Sequence, residues 1–88
     1  MIELNPIQRQ ILRALTFPEP FDTLVEEVNA TEPVIGAELK ALIVAVLVQV
    51  VQPQPNGRYK SSIYYDSDNL RAFWYQISSK GIGQLQEG

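Results

Sequence analysis

The side chains of this 88-residue chain that could do chemistry are carboxylates, lysines, arginines and tyrosines, because the sequence contains no Cys and no His. Disulfides and thiolate chemistry are therefore excluded, together with the commonest acid–base group and metal ligand. The adjacent carboxylates Glu26 and Glu27 occupy consecutive helical positions, where side chains diverge by about 100°. They do not form the facing carboxylate pair that acid–base catalysis needs.

Two short motifs resemble ligand-binding loops but lack residues that such loops need. The D-S-D run at residues 66–68 matches the opening of a calcium-binding loop, but Leu70 occupies the next ligand position and glycine is absent where the turn needs it. The G-I-G run at residues 81–83 lacks the third glycine of a phosphate-binding loop. The sequence thus predicts a protein that is not an enzyme and binds no metal or cofactor.

The positive charges lie mainly in the second half of the chain. Residues 1–44 carry three basic against seven acidic side chains, whereas residues 45–88 carry four against three, for a net charge of −3. Any anion-binding surface is therefore expected in the second half. Arg58, Lys60 and Arg71, with neighbouring tyrosines, could contact phosphate, although an ordinary two-sided hairpin would carry similar charges and aromatics.

Local signals divide the chain into helices and a hairpin. Asn5 before Pro6, with Gln8 three residues later, predicts a capped first helix at about residues 6–16. Thr23 with Glu26 predicts a second helix at about 23–29, and Thr31 caps a third at about 32–46. An Asn-Gly pair at residues 56–57 predicts a hairpin turn.

The most apolar stretch, residues 41–51, is the candidate core. Leu39 and Leu42 belong to one face of the third helix, and the β-branched end of the stretch favours a strand, so a helix should run directly into a strand near Val46. The run is far shorter than the roughly 20 residues that span a bilayer. Without a signal-peptide pattern at the N-terminus, we expect a soluble cytoplasmic protein.

Residues 66–80 remain ambiguous by periodicity. Leu70, Phe73, Trp74 and Ile77 have the spacing of a helical face, but the aromatic-rich run at residues 73–77 is equally suited to a strand.

The order of helix, short helix, tight turn, helix and hairpin resembles a winged helix-turn-helix. The chain is also similar to MarR-type transcription regulators, whose wing ends in D-x-x-R-A-x-x-x-x-L-T-x-K-G. The matching residues are Asp68, Arg71, Ala72, Ile77, Ser78, Lys80 and Gly81, and the recognition-helix and wing-opening matches are Leu39, Leu42, Leu47 and Val48. Val46 departs from the pattern, since the family has glycine there.

The resemblance implies one α+β, mostly helical winged-helix domain over residues 1–88. A three-helix bundle would carry a β-hairpin wing at about residues 47–77, followed by a short C-terminal helix or tail at 78–88. In that family the aromatic segment is the returning wing strand and Ser78 caps the next helix, so we expect a strand at residues 73–77. The region between Gln52 and Asp66 is longer than usual, which predicts an extended wing or an extra strand.

The resemblance also implies a small DNA-binding protein, a transcriptional regulator that contacts double-stranded DNA mainly through its wing. The outward positions of the third helix lack side chains that read base edges, and Glu32 and Glu38 would approach phosphate. The candidate DNA-binding residues are Thr31, Lys40, Arg58, Lys60 and Arg71.

A protein–protein interaction module without DNA binding is the alternative hypothesis. Apolar residues on the exposed face of the third helix would then form the interface. The candidate interface residues are Val34, Ala37, Ala41 and Val44. Under either hypothesis we expect a homodimer or another protein partner.

Overall fold

The computed structural model describes residues 3–62 and 64–87 and has an α+β fold. Its helices pack on one face of an antiparallel sheet with the strand order β1-β4-β2-β3. The helices are α1 (Pro6–Ala14), α2 (Phe21–Glu27), α3 (Glu32–Val44) and α4 (Ser79–Glu87), and the strands are β1 (Glu19–Pro20), β2 (Val48–Pro53), β3 (Tyr59–Ser62) and β4 (Trp74–Ile77). Ile63 of the predicted hairpin and Gly88 of the predicted tail lie outside the described residues.

The predicted capping box at the start of α1 is confirmed. The Asn5 side chain accepts a hydrogen bond from the Gln8 backbone N–H at 2.7 Å, and the Gln8 side chain accepts one from the Asn5 N–H at 3.1 Å. Two backbone donors that the helix itself leaves unpaired are satisfied in this way. The helix ends at Ala14, before the Phe17-Pro18 pair.

The predicted cap of α2 is wrong. The helix begins at Phe21, with Pro20 as its N-cap residue, and the Thr23 hydroxyl donates to Glu19 at 2.9 Å instead of capping a helix. Pro20 pairs with Trp74 at the sheet edge, so the extended backbone of β1 turns directly into the helix. A long-range strand pairing therefore overrides the local Thr-x-x-Glu signal.

The junction from α3 to β2 is as abrupt as predicted. The Val46 N–H donates to the Ile43 carbonyl at 3.0 Å, and the Leu47 N–H donates to the Leu42 carbonyl at 2.9 Å, which is the hydrogen-bond pattern of a Schellman cap. Val46 has a φ of 63°, in the left-handed region that β-branched residues rarely enter. Val46 thus adopts a backbone conformation that glycine tolerates better, at the position where the resembled family pattern has glycine.

The region between Gln52 and Asp66, for which the sequence predicts an extended wing or an extra strand, contains strand β3. β3 pairs with β2 from Val50 opposite Ser62 to Pro53 opposite Tyr59. Gly57 takes a φ of 82° in the connecting turn, and its N–H donates to the Gln54 carbonyl at 3.0 Å. β3 is the last strand of the sheet, and its residues are exposed except for the partly exposed Ser62.

The ambiguous segment contains both a short helical turn and a strand. Leu70–Ala72 forms one 3-10 turn, and β4 then pairs with β1 and β2, which confirms the strand prediction. Ser78 caps α4 as expected, since its hydroxyl accepts the Gly81 N–H at 3.0 Å. Tertiary pairing with two strands selects the extended form over the helical one.

The core lies between the helices and the inner face of the sheet. Leu39 and Leu42, the residues predicted to be central, are 0% and 1% exposed. On the opposite face of the sheet, the Trp74 and Tyr59 rings lie 5.8 Å apart, beside the buried Val51. The core residues are Leu4, Ile11, Leu12, Leu15, Phe21, Leu24, Val28, Ile35, Leu39, Leu42, Leu47, Val48, Val50, Tyr75 and Ile77.

Candidate functional site

The solvent-facing side of α3 is an apolar stripe. Val34 and Val44 are 45% and 79% exposed, and both alanines between them are exposed as well. The intervals of three, four and three residues place these side chains on one face of the helix. We call this surface the α3 stripe; it consists of Val34, Ala37, Ala41 and Val44.

Residues 66–72 follow β3 in the chain. They pack beside the α3 stripe, along the N-terminal half of α3. The Leu70 side chain approaches the buried Gly36 so closely that a Cβ at that glycine would lie 3.3 Å from its Cδ1 atom. The buried Tyr75 hydroxyl donates to the Leu70 carbonyl at 2.7 Å, which supports the segment from below. Burial raises the pKa of Tyr75, and the nearby Tyr65 raises it further.

Arg71 ties this segment to two helices. Its guanidinium forms ion pairs with Asp22 and Glu32, which lie in the first turns of α2 and α3, and its Cζ atom lies 5.6 Å from the centre of the Phe21 ring. Carboxylates are favourable at helix N-termini, and the guanidinium between them neutralises one of the two negative charges, so the cluster remains negative by one charge. Arg71 is therefore presented to solvent as part of this cluster and not as an isolated cation.

An open cleft of about 410 Å³ separates residues 66–72 from α3. Lys40 and Arg71 line it together with Glu32 and Asp68, so both signs of charge occur on its walls. Two of the predicted DNA-binding residues are thus brought together beside acidic side chains. Such a mixed surface is not the single-sign field that attracts a phosphate backbone.

The other candidate cations form a separate group on the hairpin. Arg58 and Lys60 are both exposed, and residues 39–65 contain no Asp or Glu. Thr31 is exposed at the N-cap position of α3, where its side chain makes no capping hydrogen bond among the described residues. Of the predicted DNA-binding residues, Lys40 and Arg71 line the cleft, whereas Arg58 and Lys60 are not among its lining residues.

The C-terminal end of α3 is held by residues 78–81. The Ser78 hydroxyl donates to the Val46 carbonyl at 2.6 Å, and Lys80 Nζ donates to the Ala45 carbonyl at 3.0 Å. Gly81 packs so tightly that a Cβ there would lie 2.3 Å from the Leu47 carbonyl oxygen. These contacts give the Ser-x-Lys-Gly motif a structural role in this chain.

Sequence reasoning identified Arg71 but missed its partners. Asp22 and Glu32 precede it by many residues, and no local pattern links acidic residues in two helix N-termini to an arginine before a strand. One feature of the sequence could have predicted the left-handed backbone of Val46: this residue occupies the position where the resembled motif has glycine.

Comparison with known proteins provides no relative: no family model matches the chain, and no curated protein or solved structure matches it significantly. Within the described ranges, no group of three or more acidic side chains is arranged to hold a metal ion. None of the described helices has the length and apolar character needed to cross a bilayer.

Proposed function

We propose that this chain is a winged-helix domain that binds a protein through the α3 stripe. The order of its elements supports the fold assignment, because a short β1 between the first two helices pairs with β4, and β4 pairs with β2. In that arrangement β2, β3 and β4 make up the wing, with β3 as an additional edge strand. The assignment rests on element order and pairing, and fold alone does not define function.

The observation that carries the functional proposal is the apolar character of the exposed face of α3. Val34 and Val44 are exposed at its two ends, and small alanines lie between them. Moving an apolar helix face out of water lowers the free energy. Base recognition instead requires paired hydrogen-bond donors and acceptors. Exposed apolar side chains in a contiguous patch are typical of a protein interface.

The polar groups beside the stripe also support protein binding. Glu32 is paired with Arg71, and Glu38 accepts a hydrogen bond from the Asn5 side chain. These acidic groups already have partners within the chain, so a protein that covered them would leave neither carboxylate unpaired. The same carboxylates would repel a phosphate backbone.

Site-specific photo-cross-linking in the cells that make the protein tests this proposal. A photoreactive residue at Ala41 should yield one discrete protein adduct, and the additional change Val44→Asp should reduce the yield at least tenfold. The matched control carries the photoreactive residue at Gln86, an exposed position on α4. The same adducts from both positions, or none from Ala41, would overturn the proposal.

A second candidate function is duplex DNA binding through the hairpin. The supporting observation is that Arg58 and Lys60 are both exposed in a stretch without acidic residues. If each cation neutralises one phosphate, the logarithm of the binding constant should fall with the logarithm of salt concentration with a slope of about −2.

Fluorescence anisotropy with random-sequence duplex DNA tests this second candidate. The double change Arg58→Glu with Lys60→Glu should abolish binding, while Arg13→Glu, a change at an exposed cation on α1, should have a smaller effect. Absence of binding at 20 mM salt, roughly the regime where electrostatic contacts are strongest, would exclude this function.

A further inference from the structure

The outer edge of β3 carries backbone groups that pair with no strand of the described sheet. The Gln54 N–H donates to the Arg58 carbonyl at 2.8 Å, which marks residues 54 and 58 as a hydrogen-bonded pair. In an antiparallel ladder such pairs alternate with pairs that exchange no hydrogen bond. Tyr59 stands opposite Pro53, which has no N–H to give, and Ser61 is the next such position. The N–H and carbonyl groups of Tyr59 and Ser61 therefore point away from β2.

The side chains at this edge are cationic. Lys60 lies between the two outward-pointing residues and Arg58 precedes the strand, and both side chains are exposed. Residues 39–65 contain no Asp or Glu, and neither cation forms an ion pair with a described residue. Both positive charges are thus available to an incoming acidic group.

The two faces of β3 differ in character. Successive side chains of a strand alternate between faces, so Lys60 lies opposite to Tyr59 and Ser61. The Tyr59 ring is 41% exposed and lies 5.8 Å from the Trp74 ring. A strand laid along this edge would therefore meet a cation on one face and a partly exposed aromatic ring on the other.

We infer that the edge of β3 binds an extended acidic segment of another protein, which adds a fifth strand to the sheet. In this mode of recognition main-chain hydrogen bonds provide affinity, and alternate side chains provide specificity. Acidic side chains of the segment would lie beside Lys60, and an apolar side chain between them would cover Tyr59. Binding at this edge goes beyond the proposed function and does not depend on the α3 stripe.

Charge complementarity favours this occupant over a second copy of the chain. Two copies paired through the same edge would bring their own Arg58 and Lys60 side chains together, and like charges across a strand pair are destabilising. A lysine on an edge strand commonly prevents such pairing between copies. The same positive charge attracts a segment of opposite sign.

The free backbone groups favour a peptide over a nucleic acid. Phosphate oxygens accept hydrogen bonds from N–H groups, but they offer no donor to the carbonyls of Tyr59 and Ser61. An extended peptide presents donors and acceptors alternately at the spacing of a strand. Only a peptide can therefore satisfy both kinds of group at this edge.

Amide hydrogen exchange measured by NMR tests the inference. The probe is a ten-residue peptide in which Glu alternates with Val and Thr, and we expect it to bind with a dissociation constant on the order of 100 μM. At about 2 mM peptide, exchange at Tyr59 and Ser61 should slow at least tenfold by mass action. The amides of Lys60 and Ser62, which face β2, should change much less.

The matched control peptide has the same sequence, with methyl groups on the alternate backbone nitrogens that would face β3. It keeps every charge and loses the main-chain donors, so its affinity should be at least tenfold lower. Equal affinity of the two peptides would mean that charge alone holds them, and would overturn strand addition.

Two substitutions in the chain separate backbone pairing from charge. Ser61→Pro removes an outward N–H, and proline is tolerated on an edge strand at such a position; it should weaken peptide binding at least tenfold. Lys60→Glu should have an effect of similar size and remains informative if the proline variant proves poorly folded. Arg13→Glu, the same change of charge at an exposed position on α1, should leave the affinity within about twofold.

Three results would overturn the inference. The first is unchanged exchange at Tyr59 and Ser61 in about 2 mM peptide. The second is exchange at both amides that is already slow in the free chain at 1 mM and speeds up on dilution, which would mean that a second copy covers the edge. The third is equal slowing by random-sequence duplex DNA, which would assign the edge to nucleic acid.

Discussion

The two ends of α3 are held by two parts of the same stretch, residues 66–81, and they are held in different ways. At the N-terminal end the contacts are made by side chains in contact with water, since Arg71 is 51% exposed where it meets Asp22 and Glu32. At the C-terminal end the contacts reach the backbone, because Ser78, Lys80 and the buried Gly81 meet the carbonyls of residues 45–47.

This difference indicates where the structure tolerates change. Exposed ion pairs contribute little to stability, typically below about 1 kcal/mol each. A glycine in close contact with a carbonyl leaves no space for an added atom, because folded interiors are close-packed. The C-terminal end of α3 should therefore be rigid and the N-terminal end adaptable, with the α3 stripe open between them.

The largest expected effect is that of Gly81→Ala. The new Cβ would lie 2.3 Å from the Leu47 carbonyl oxygen and 2.7 Å from Ile77 Cγ1, so α4 must move. We expect a loss of about 2–4 kcal/mol in the free energy of unfolding, measured by urea denaturation.

The matched control is Gly83→Ala, two residues further along α4, where an added Cβ would meet no atom within 4 Å among the described residues. Alanine is favoured over glycine inside a helix by roughly 1 kcal/mol, so this variant should be slightly more stable. Equal effects of the two changes would contradict the tight contact at Leu47.

Tyr75→Phe should have the next largest effect. It removes the hydrogen bond from the Tyr75 hydroxyl to the Leu70 carbonyl, which supports the contacts at the N-terminal end of α3. The Leu70 carbonyl would lose its donor, at a cost of about 1–2 kcal/mol. The change tests whether the adaptable end of α3 depends on a buried support.

The pH dependence of the same pair provides a second readout. Because the pKa of Tyr75 is raised in the folded state, the unfolded chain loses this proton first, and stability should fall as the pH rises above about 10, the usual tyrosine pKa. The difference in unfolding free energy between the natural chain and Tyr75→Phe should shrink over that range. A difference that is constant from pH 8 to 11 would contradict the assignment.

Val46→Gly should stabilise the chain by roughly 0.5–1 kcal/mol. Glycine adopts a φ of 63° without steric cost, and this gain exceeds the greater entropy that glycine gives the unfolded chain. Val44→Gly, in the last turn of α3, should instead destabilise by about 0.5–1 kcal/mol. Thermal melts of both variants decide the sign, and a destabilised Val46→Gly variant would mean that the valine side chain makes a compensating contact.

Arg71→Met should have the smallest effect, a loss of less than about 1 kcal/mol that diminishes further in 1 M NaCl. Methionine keeps most of the side-chain volume over Phe21 while removing the charge. Urea denaturation at low and high salt measures the effect, with Arg13→Met as the exposed control on α1. A loss as large as that of Gly81→Ala would abolish the distinction between the two ends of α3.

Local sequence signals predicted the parts of the fold that local chemistry controls. The Asn5 capping box, the turn containing Gly57 and the buried face with Leu39 and Leu42 all depend on residues close together in the chain. The signal at Thr23 failed because the pairing of Pro20 with Trp74, across the sheet, started the helix earlier. The candidate interface residues could be selected by helical spacing, but their exposure depends on what packs beside them.

The sequence by itself determined which residues can form helices, where one helix must give way to a strand, and that the outward side of α3 is apolar. These properties follow from side-chain type and spacing within a few turns. The tertiary structure decided that residues 74–77 form a strand and that Arg71 joins Asp22 and Glu32. Each of these depends on groups far apart in the sequence, whose contacts form only when the sheet and helices come together.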